Sequence, residues 1–369
     1  MFQDDYIKAS LLVASSGSEI YSAPGHAAIR LECPTHEIDY CYEFDNIVNL
    51  IHIIDYINGD MFALYMRFYT QDFIERYIQK KRGVKSITLN LTPQQKIDLW
   101  QYLDYQVDSI GKQTFDFFSN NCASTVIRAI QKSIEPEIIK YVEVSPYLTG
   151  THREVFPYIF KNAPWAEFCW NILMGTDFDK NYEFETRLFP IALIDVWSKA
   201  ILKDSYGNER PMCIGKVETI INPAIKDKPS IITPKLIFVI LLIISLIVSC
   251  IEKFKGYNIA SKLTDIIFMA IETLLGFVVS YMLIFSNQVA TSWNWLIIVF
   301  SPLPVIIWLL WHKHPKFNKI YLLYTFVLLT YCICTPMIPQ MQYASLQILL
   351  LAFSIRTVTQ WIVNRNSSH

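Results

Sequence analysis

Hydrophobic and polar positions follow two different rules along this chain, and the rule changes near Pro234. Before that point apolar residues come in short runs. His26-Ala-Ala-Ile-Arg-Leu-Glu-Cys33 alternates, Pro34-Thr-His36 interrupts it, and Ile38-Asp-Tyr-Cys-Tyr-Glu-Phe44 alternates again, which predicts a β-hairpin. A helix around Asn46 to Tyr56, a strand from Met61 to Phe68, a helix from Thr70 to Gln79 and a strand from Val84 to Leu91 are predicted next. Thr92-Pro93 opens a helix to about Ile110, with Thr92 as N-cap and Pro93 at the first helical position. A short stretch from Phe115 to Phe118 and then Asn120-Asn121 lead into a helix from Cys122 to Lys132. Beyond it the pattern is coarser, with partly helical aromatic segments (Pro164 to Met174, Phe189 to Leu202) and a polar stretch from Lys203 that reads as a linker. Strands and helices mixed without regular alternation predict an α+β domain.

After Pro234 the runs lengthen. Five apolar stretches follow one another: Leu236 to Ile251, Asp265 to Phe285, Trp293 to Trp311, Ile320 to Pro336 and Leu346 to Val363. Each approaches the roughly 20 residues a helix needs to cross a bilayer core. Lys253, Lys255 and Lys262 lie in the first connection and Lys313, Lys316 and Lys319 in the third, while the second and fourth carry no Lys or Arg. That alternation puts the basic connections and Arg365 in the cytoplasm and, with five spans, the N-terminal domain outside. Trp293, Trp295, Trp308 and Trp311 read as interfacial anchors, and Pro302 and Pro304 as a kink. The expected organisation is an exported domain over 1–233, ending in the linker, and a five-span membrane domain over 234–369. Met1 to Ser10 has neither a basic nor an apolar leader region, which implies a mature form without its signal peptide.

Charge agrees with this division. Nine Lys/Arg and three Asp/Glu lie from Lys235 onward, leaving 23 basic and 30 acidic side chains before it, so a near-neutral chain is an acidic domain joined to a basic one. This excludes a uniformly soluble protein, a disordered chain and a basic nucleic-acid binder. Glu272 and Arg356 lie at membrane depth and read as a pair bridging helices, with a headgroup or proton site as the alternative. Eight cysteines, five of them before the membrane, leave at least one unpaired there. Cys33 and Cys41 could face each other across the hairpin, and no spacing resembles a zinc site, so neither metal nor cofactor is expected.

Two residues stand out for chemistry. Cys122 follows residues that cap helices, so its sulfur is expected at a helix N-terminus, where unpaired N–H groups favour a thiolate. His26 follows Pro24-Gly25 at the mouth of a strand and could serve as base. A small buried cysteine and a structural histidine are the bland alternatives.

The run Glu19-Ile-Tyr-Ser-Ala-Pro-Gly-His26-Ala-Ala-Ile-Arg30, followed by Phe115-Asp-Phe-Phe-Ser-Asn-Asn-Cys122-Ala-Ser-Thr-Val-Ile-Arg128, resembles the Lnb family, lipoprotein N-acyltransferases of the Bacteroides type. The likeness extends through Tyr42, Gly59-Asp60, Thr151, Arg153, Trp165, Gly175 and Phe189-Pro190 into Trp293-Asn-Trp-Leu296 and Ser301-Pro-Leu303. Departures are Pro24 where Phe is common, Asn120 where Asp is common, Glu43 where Gly is common and His152 where Phe is expected. The resemblance implies a circularly permuted papain-like thiol domain with Cys122 as nucleophile and His26 as base. Tyr42 or Asn121 would orient the imidazole, and Arg30, Arg128 and Arg153 would serve as phosphate-headgroup contacts or structural ion pairs. It further implies transfer of an acyl chain from a membrane phospholipid to the α-amino group of diacylated lipoproteins at the bacterial inner membrane, with the thiol domain periplasmic. Aromatic stretches such as Met61 to Tyr69 and Trp165 to Met174 could line acyl channels, or be ordinary core. A phospholipase or a cell-wall amidase or endopeptidase of the same fold is the alternative activity.

Overall fold

The computed structural model describes residues 6–17, 19–45, 53–141, 150–180, 189–223, 231–303, 305–306, 317–338, 340 and 343–366. The chain forms two compact units, Met1–Ala163 with Lys180–Pro229, and Pro164–Asp179 with Ser230–His369. Pro164–Asp179, placed by the sequence pattern in the exported domain, therefore packs with the second unit.

The first unit is sheet-rich. Its strands are β1 (Lys8–Ala14), β2 (His26–Cys33), β3 (Ile38–Asp45), β4 (Phe62–Tyr69), β5 (Val84–Leu89), β6 (Lys112–Thr114), β7 (Ile138–Lys140), β8 (Ile201–Lys203), β9 (Glu209–Pro211) and β10 (Cys213–Ile221). Seven of them make one antiparallel sheet in the order β10-β5-β1-β2-β3-β4-β6, and β7-β8-β9 make a second. Its helices are α1 (Ile53–Asn58), α2 (Thr70–Gln79), α3 (Pro93–Tyr105), α4 (Cys122–Ile134), α5 (His152–Ile159) and α7 (Leu193–Trp197), while α6 (Pro164–Leu173) belongs to the second unit.

The predicted hairpin is present, with Ala28 opposite Glu43 and Cys33 opposite Ile38. Cys41 lies opposite Arg30, so Cys33 and Cys41 do not face each other, and all eight cysteines are free thiols. Thr92 caps α3 in a reciprocal box with Gln95, and the last predicted turns of that helix are a π segment over Gln106–Ile110. Several strands were not expected, three of them on segments with no strand signal or read as linker. Lys8–Ala14 is an inner strand of the large sheet, and the polar stretch read as linker supplies β9 and the edge strand β10. Residues 46–52 of the helix predicted over Asn46 to Tyr56 lie outside the described residues, and Ile53–Asn58 is helical.

Apolar side chains leave both faces of the sheet. Leu11, Val13, Ala27, Ile29 and Leu31 pack with Leu99 and Leu103 of α3, Val126 and Ile127 of α4 and Trp197 of α7. Leu12, Ala14, Ala28 and Cys41 pack on the other face with Phe73 and Tyr77 of α2. The sheet is thus sandwiched between helices, and the inner strands bury both sides.

In the second unit the long helices are α8 (Pro234–Lys255), α9 (Ile259–Phe285), α10 (Phe317–Cys334) and α11 (Ala344–Asn366). Three are long and apolar enough to cross a membrane, Pro234–Lys255, Ile259–Phe285 and Ala344–Ile362, and Leu323–Cys334 is a shorter apolar helix. The third expected span opens as a 3-10 turn at Trp295–Ile298, and its residues Pro304, Trp308 and Trp311 lie outside the described residues. The described residues therefore carry three full-length candidates rather than the five expected. Arg356 does not pair with Glu272. It bonds Asp265 at 2.8 Å, Glu252 at 2.9 Å and Ser249 at 3.0 Å, tying α11 to α8 and α9. Gly276 lies against the backbone of Ser301, where an added Cβ would come within 2.6 Å of its nitrogen.

Gly25 connects fold to site. Its φ of +88° suits glycine, and a Cβ there would sit 2.9 Å from the carbonyl of Ala14. Gly25→Ala is expected to destabilise the protein by about 1–3 kcal/mol, read as a lower melting temperature of the full chain in detergent.

Candidate active site

His26 is the first residue of β2, held by a turn whose bonds run from Ser22 and Ala23 N–H to the Glu19 carbonyl and from Gly25 N–H to Ser22. The Ile191 N–H clamps the Pro24 carbonyl from the next layer. The imidazole is 6% exposed and stacks on Tyr77, with ring centroids 6.4 Å apart.

Cys122 is the first residue of α4, half-buried, and its thiol lies close enough to the His26 imidazole to act on its charge. The turn before it is built by Asp116, whose carboxylate accepts from the N–H groups of Phe118 and Ser119. Asn121 Oδ1 then accepts from the N–H groups of Ala123 and Ser124, its carbonyl takes that of Thr125, and its Nδ2 donates to Phe117. With the Asn121 N–H held by Ser124 Oγ at 2.9 Å, three of the four orphan amides of the helix start are occupied. Among the described hydrogen bonds the Cys122 N–H has no acceptor, which leaves it available at the sulfur.

The group on Nε2 of the imidazole is Glu43. His26 Nε2 and Glu43 Oε2 are 3.0 Å apart, and Arg76 donates to Glu43 Oε1 at 2.6 Å. The Glu43 side chain has no exposed surface. Neither residue proposed from the sequence to orient the imidazole makes this contact: Tyr42 gives its hydroxyl to Asp104 at 2.7 Å on the opposite face of the sheet, and Asn121 caps α4. The missed signal was strand parity. Ala28 lies opposite Glu43, so the even positions of β2, His26 among them, share a face with Glu43 and not with Tyr42.

Burial on its own pushes the imidazole down, but Tyr77, Asp45 and Cys122 outweigh it and hold His26 well above its ordinary value. Tyr77 is itself pushed up to about 12, chiefly by burial. Burial likewise pushes Glu43 up, and the bonds and charges of His26 and Arg76 bring it below the usual carboxylate range. His26, Glu43 and Asp45 have donor atoms within 4.8 Å of one another. Arg76 supplies a cation that the Glu43 carboxylate of this group pairs with.

The three arginines lie in structural contacts. Arg30 makes a bidentate pair with Asp39 at 2.8 and 2.7 Å, Arg128 donates to the Ser119 carbonyl, and buried Arg153 lies over the Phe156 ring. A cavity of about 20 Å³ beneath the sheet is lined by Ile29, Tyr42, Leu103, Thr125 and Val126 among others. It has room for about one water molecule and none for an acyl chain.

A thiol beside a buried imidazole, on a chain with helices long and apolar enough to cross a membrane, describes a membrane protein with a candidate catalytic pair. Comparison with known families agrees: residues 2–157 match the Lnb N-terminal periplasmic domain and residues 226–367 the Lnb transmembrane domain. The chain belongs to the Lnb family. These domains make it an inner-membrane protein with a periplasmic N-terminal domain, of a family of membrane lipoprotein-modifying enzymes. No curated protein and no solved structure matches the chain.

The two shifts predict how stability depends on pH. A raised His26 contributes stability that is complete below its unfolded value of about 6.5 and lost as pH rises through the folded one. A lowered Glu43 contributes above its unfolded value and loses that contribution as pH falls through its folded one. Melting temperatures across pH are expected to fall on the alkaline side of neutrality in the wild type, and this loss is expected to be smaller in His26→Gln.

Proposed function

We propose that the protein is a lipoprotein N-acyltransferase whose acyl carrier is Cys122, on a domain of circularly permuted papain-like type in which histidine precedes cysteine. The observation that carries this reading is the placement of the Cys122 thiol, at the start of α4, beside the buried His26 imidazole that Glu43 holds by its Nε2. Family membership and membrane-length helices support a lipid substrate.

In the first half-reaction the Cys122 thiolate attacks the ester carbonyl of a phospholipid. A carbon–sulfur bond forms, and the oxyanion of the tetrahedral intermediate takes the Cys122 N–H, a type of contact worth about 3–4 kcal/mol in other enzymes. The ester C–O bond then breaks while the His26 imidazolium gives its proton to the departing glycerol oxygen, leaving an S-acyl enzyme and a lysophospholipid. In the second, the neutral α-amine of an S-diacylglyceryl cysteine attacks the thioester and His26 accepts its proton. The C–S bond breaks, giving an amide and the free thiolate. Spans on the same chain keep the thiol with its lipid substrates. In this reading all five apolar stretches cross the membrane, with the C-terminus cytoplasmic.

Incubation of the purified protein with phospholipid is expected to add one fatty-acyl mass to the wild type, removable by hydroxylamine, and none to Cys122→Ser. Adding a diacylated lipopeptide is expected to discharge it into an N-acyl product, with a loss of at least about 10³-fold in Cys122→Ser. Release of free fatty acid without N-acyl lipopeptide would instead identify a phospholipase.

A further inference from the structure

We propose that Glu43, held by Arg76, is the positioning residue of the site, fixing the imidazole of His26 so that Nε2 donates to the carboxylate and the other ring nitrogen serves Cys122. The inference rests on the reading of Cys122 and His26 as nucleophile and base. It goes beyond the family likeness, whose pattern carries Gly at this position.

An imidazole has two nitrogens: Nε2 lies 3.0 Å from Glu43 Oε2, which leaves Nδ1 for the Cys122 thiol that acts on the ring. The second carboxylate oxygen is fixed by Arg76 at 2.6 Å, so the carboxylate cannot turn away from the ring without breaking an ion pair inside the protein. Arg76 is anchored in turn, with its guanidinium 5.0 Å from the Phe68 ring centroid and 5.5 Å from that of Phe73. The ring of Tyr77 stacks on His26 and stops it tipping. An acceptor-only carboxylate forces the tautomer that presents a lone pair or a proton to the sulfur as each half-reaction requires.

The groups that set the charge around His26 are Glu43 and Asp45 on β3, Tyr77 and Arg76 on α2, Arg82 after α2 and Cys122 on α4. Their signs make the test directional. Glu43 favours the imidazolium, and Arg76 opposes it while fixing Glu43.

The experiment is the pH dependence of Cys122 alkylation by iodoacetamide in the full chain in detergent, read by mass spectrometry on the peptide that carries Cys122. This readout needs no acyl transfer, so it stands or falls separately from the proposed activity, which the S-acyl adduct reports. In Glu43→Gln the profile is expected to move to higher pH by about one unit or more, because an opposite charge at this distance is worth about one to three. In Arg76→Gln it is expected to move the other way. S-acylation is expected to fall at least tenfold in Glu43→Gln. Opposite displacements support a positioning role, since general damage to the fold cannot produce them. Unmoved profiles, or displacements in the same direction, would overturn it and leave Glu43 a structural partner of Arg76. Should Glu43→Gln fail to fold, Arg76→Gln alone decides by the direction of its displacement.

Discussion

An ionised carboxylate taken out of water costs several kcal/mol unless both its oxygens are met by charged donors, and Glu43 is in that position. The ring of His26 meets one oxygen and Arg76 the other. This requirement links three elements that are separate in sequence: the first residue of β2, the odd-numbered face of β3 and the outer helix α2. Phe73 and Tyr77 pack on the same face of the sheet as Ala28 and Cys41, which brings Arg76 to the carboxylate, and Tyr77 closes over the imidazole. From the opposite layer α4 delivers the thiol at its first residue, where Asn121 fixes the start of the helix. Removing one member of such a group is more damaging than never having it, because the others are left charged and buried.

Much of this was readable in the sequence, with the failures confined to identifiable circumstances. The hairpin and helices α2, α3 and α4 announced themselves through alternation, Pro93 and the asparagines before Cys122. His26 and Cys122 were found because each sits next to punctuation, a Pro-Gly turn and a capping pair. Glu43 was missed although its hairpin was predicted, because the register was not followed through: a one-residue difference in β-parity puts Tyr42 on Asp104 and Glu43 on His26. Lys8–Ala14 gave no strand signal because an inner strand buried on both faces loses its alternation. β10 failed for the opposite reason. It is an edge strand with most of its residues exposed, and its polar composition looks like a connection.

The membrane unit shows what pattern reading can and cannot reach there. Length and hydropathy identified α8, α9 and α11. They could not pair the buried charges, since depth alone made Glu272 and Arg356 look like partners. Arg356 instead meets Glu252 near the end of α8 and Asp265 near the start of α9, the two helix ends that flank one connection. Pro164–Asp179 was assigned by sequence adjacency to the first domain, yet its contacts are with the second unit. Asn294 donates to the Ile172 carbonyl and Gln340 to that of Met174, and Gly175 lies so close to Ser292 that a Cβ would overlap its carbonyl. Small residues and amide side chains hold this join, and neither has a periodic signature.

A transferase differs from a hydrolase by what it lets reach the thioester. Water attacks the same carbon as the amine and is far more abundant, so selectivity depends on the environment of the sulfur rather than on the pair that activates it. The cavity beside Thr125 and Val126 has room for about one water molecule. In the proposed reaction an acyl chain on Cys122 is too large for that cavity and would lie on the exposed side of the half-buried sulfur. There it would cover the thioester itself, so the first product would shield the carbon that the second substrate attacks. An amine carried on a lipid suits the proposed arrangement, because an apolar partner can enter beside the chain without admitting the solvent that the chain excludes.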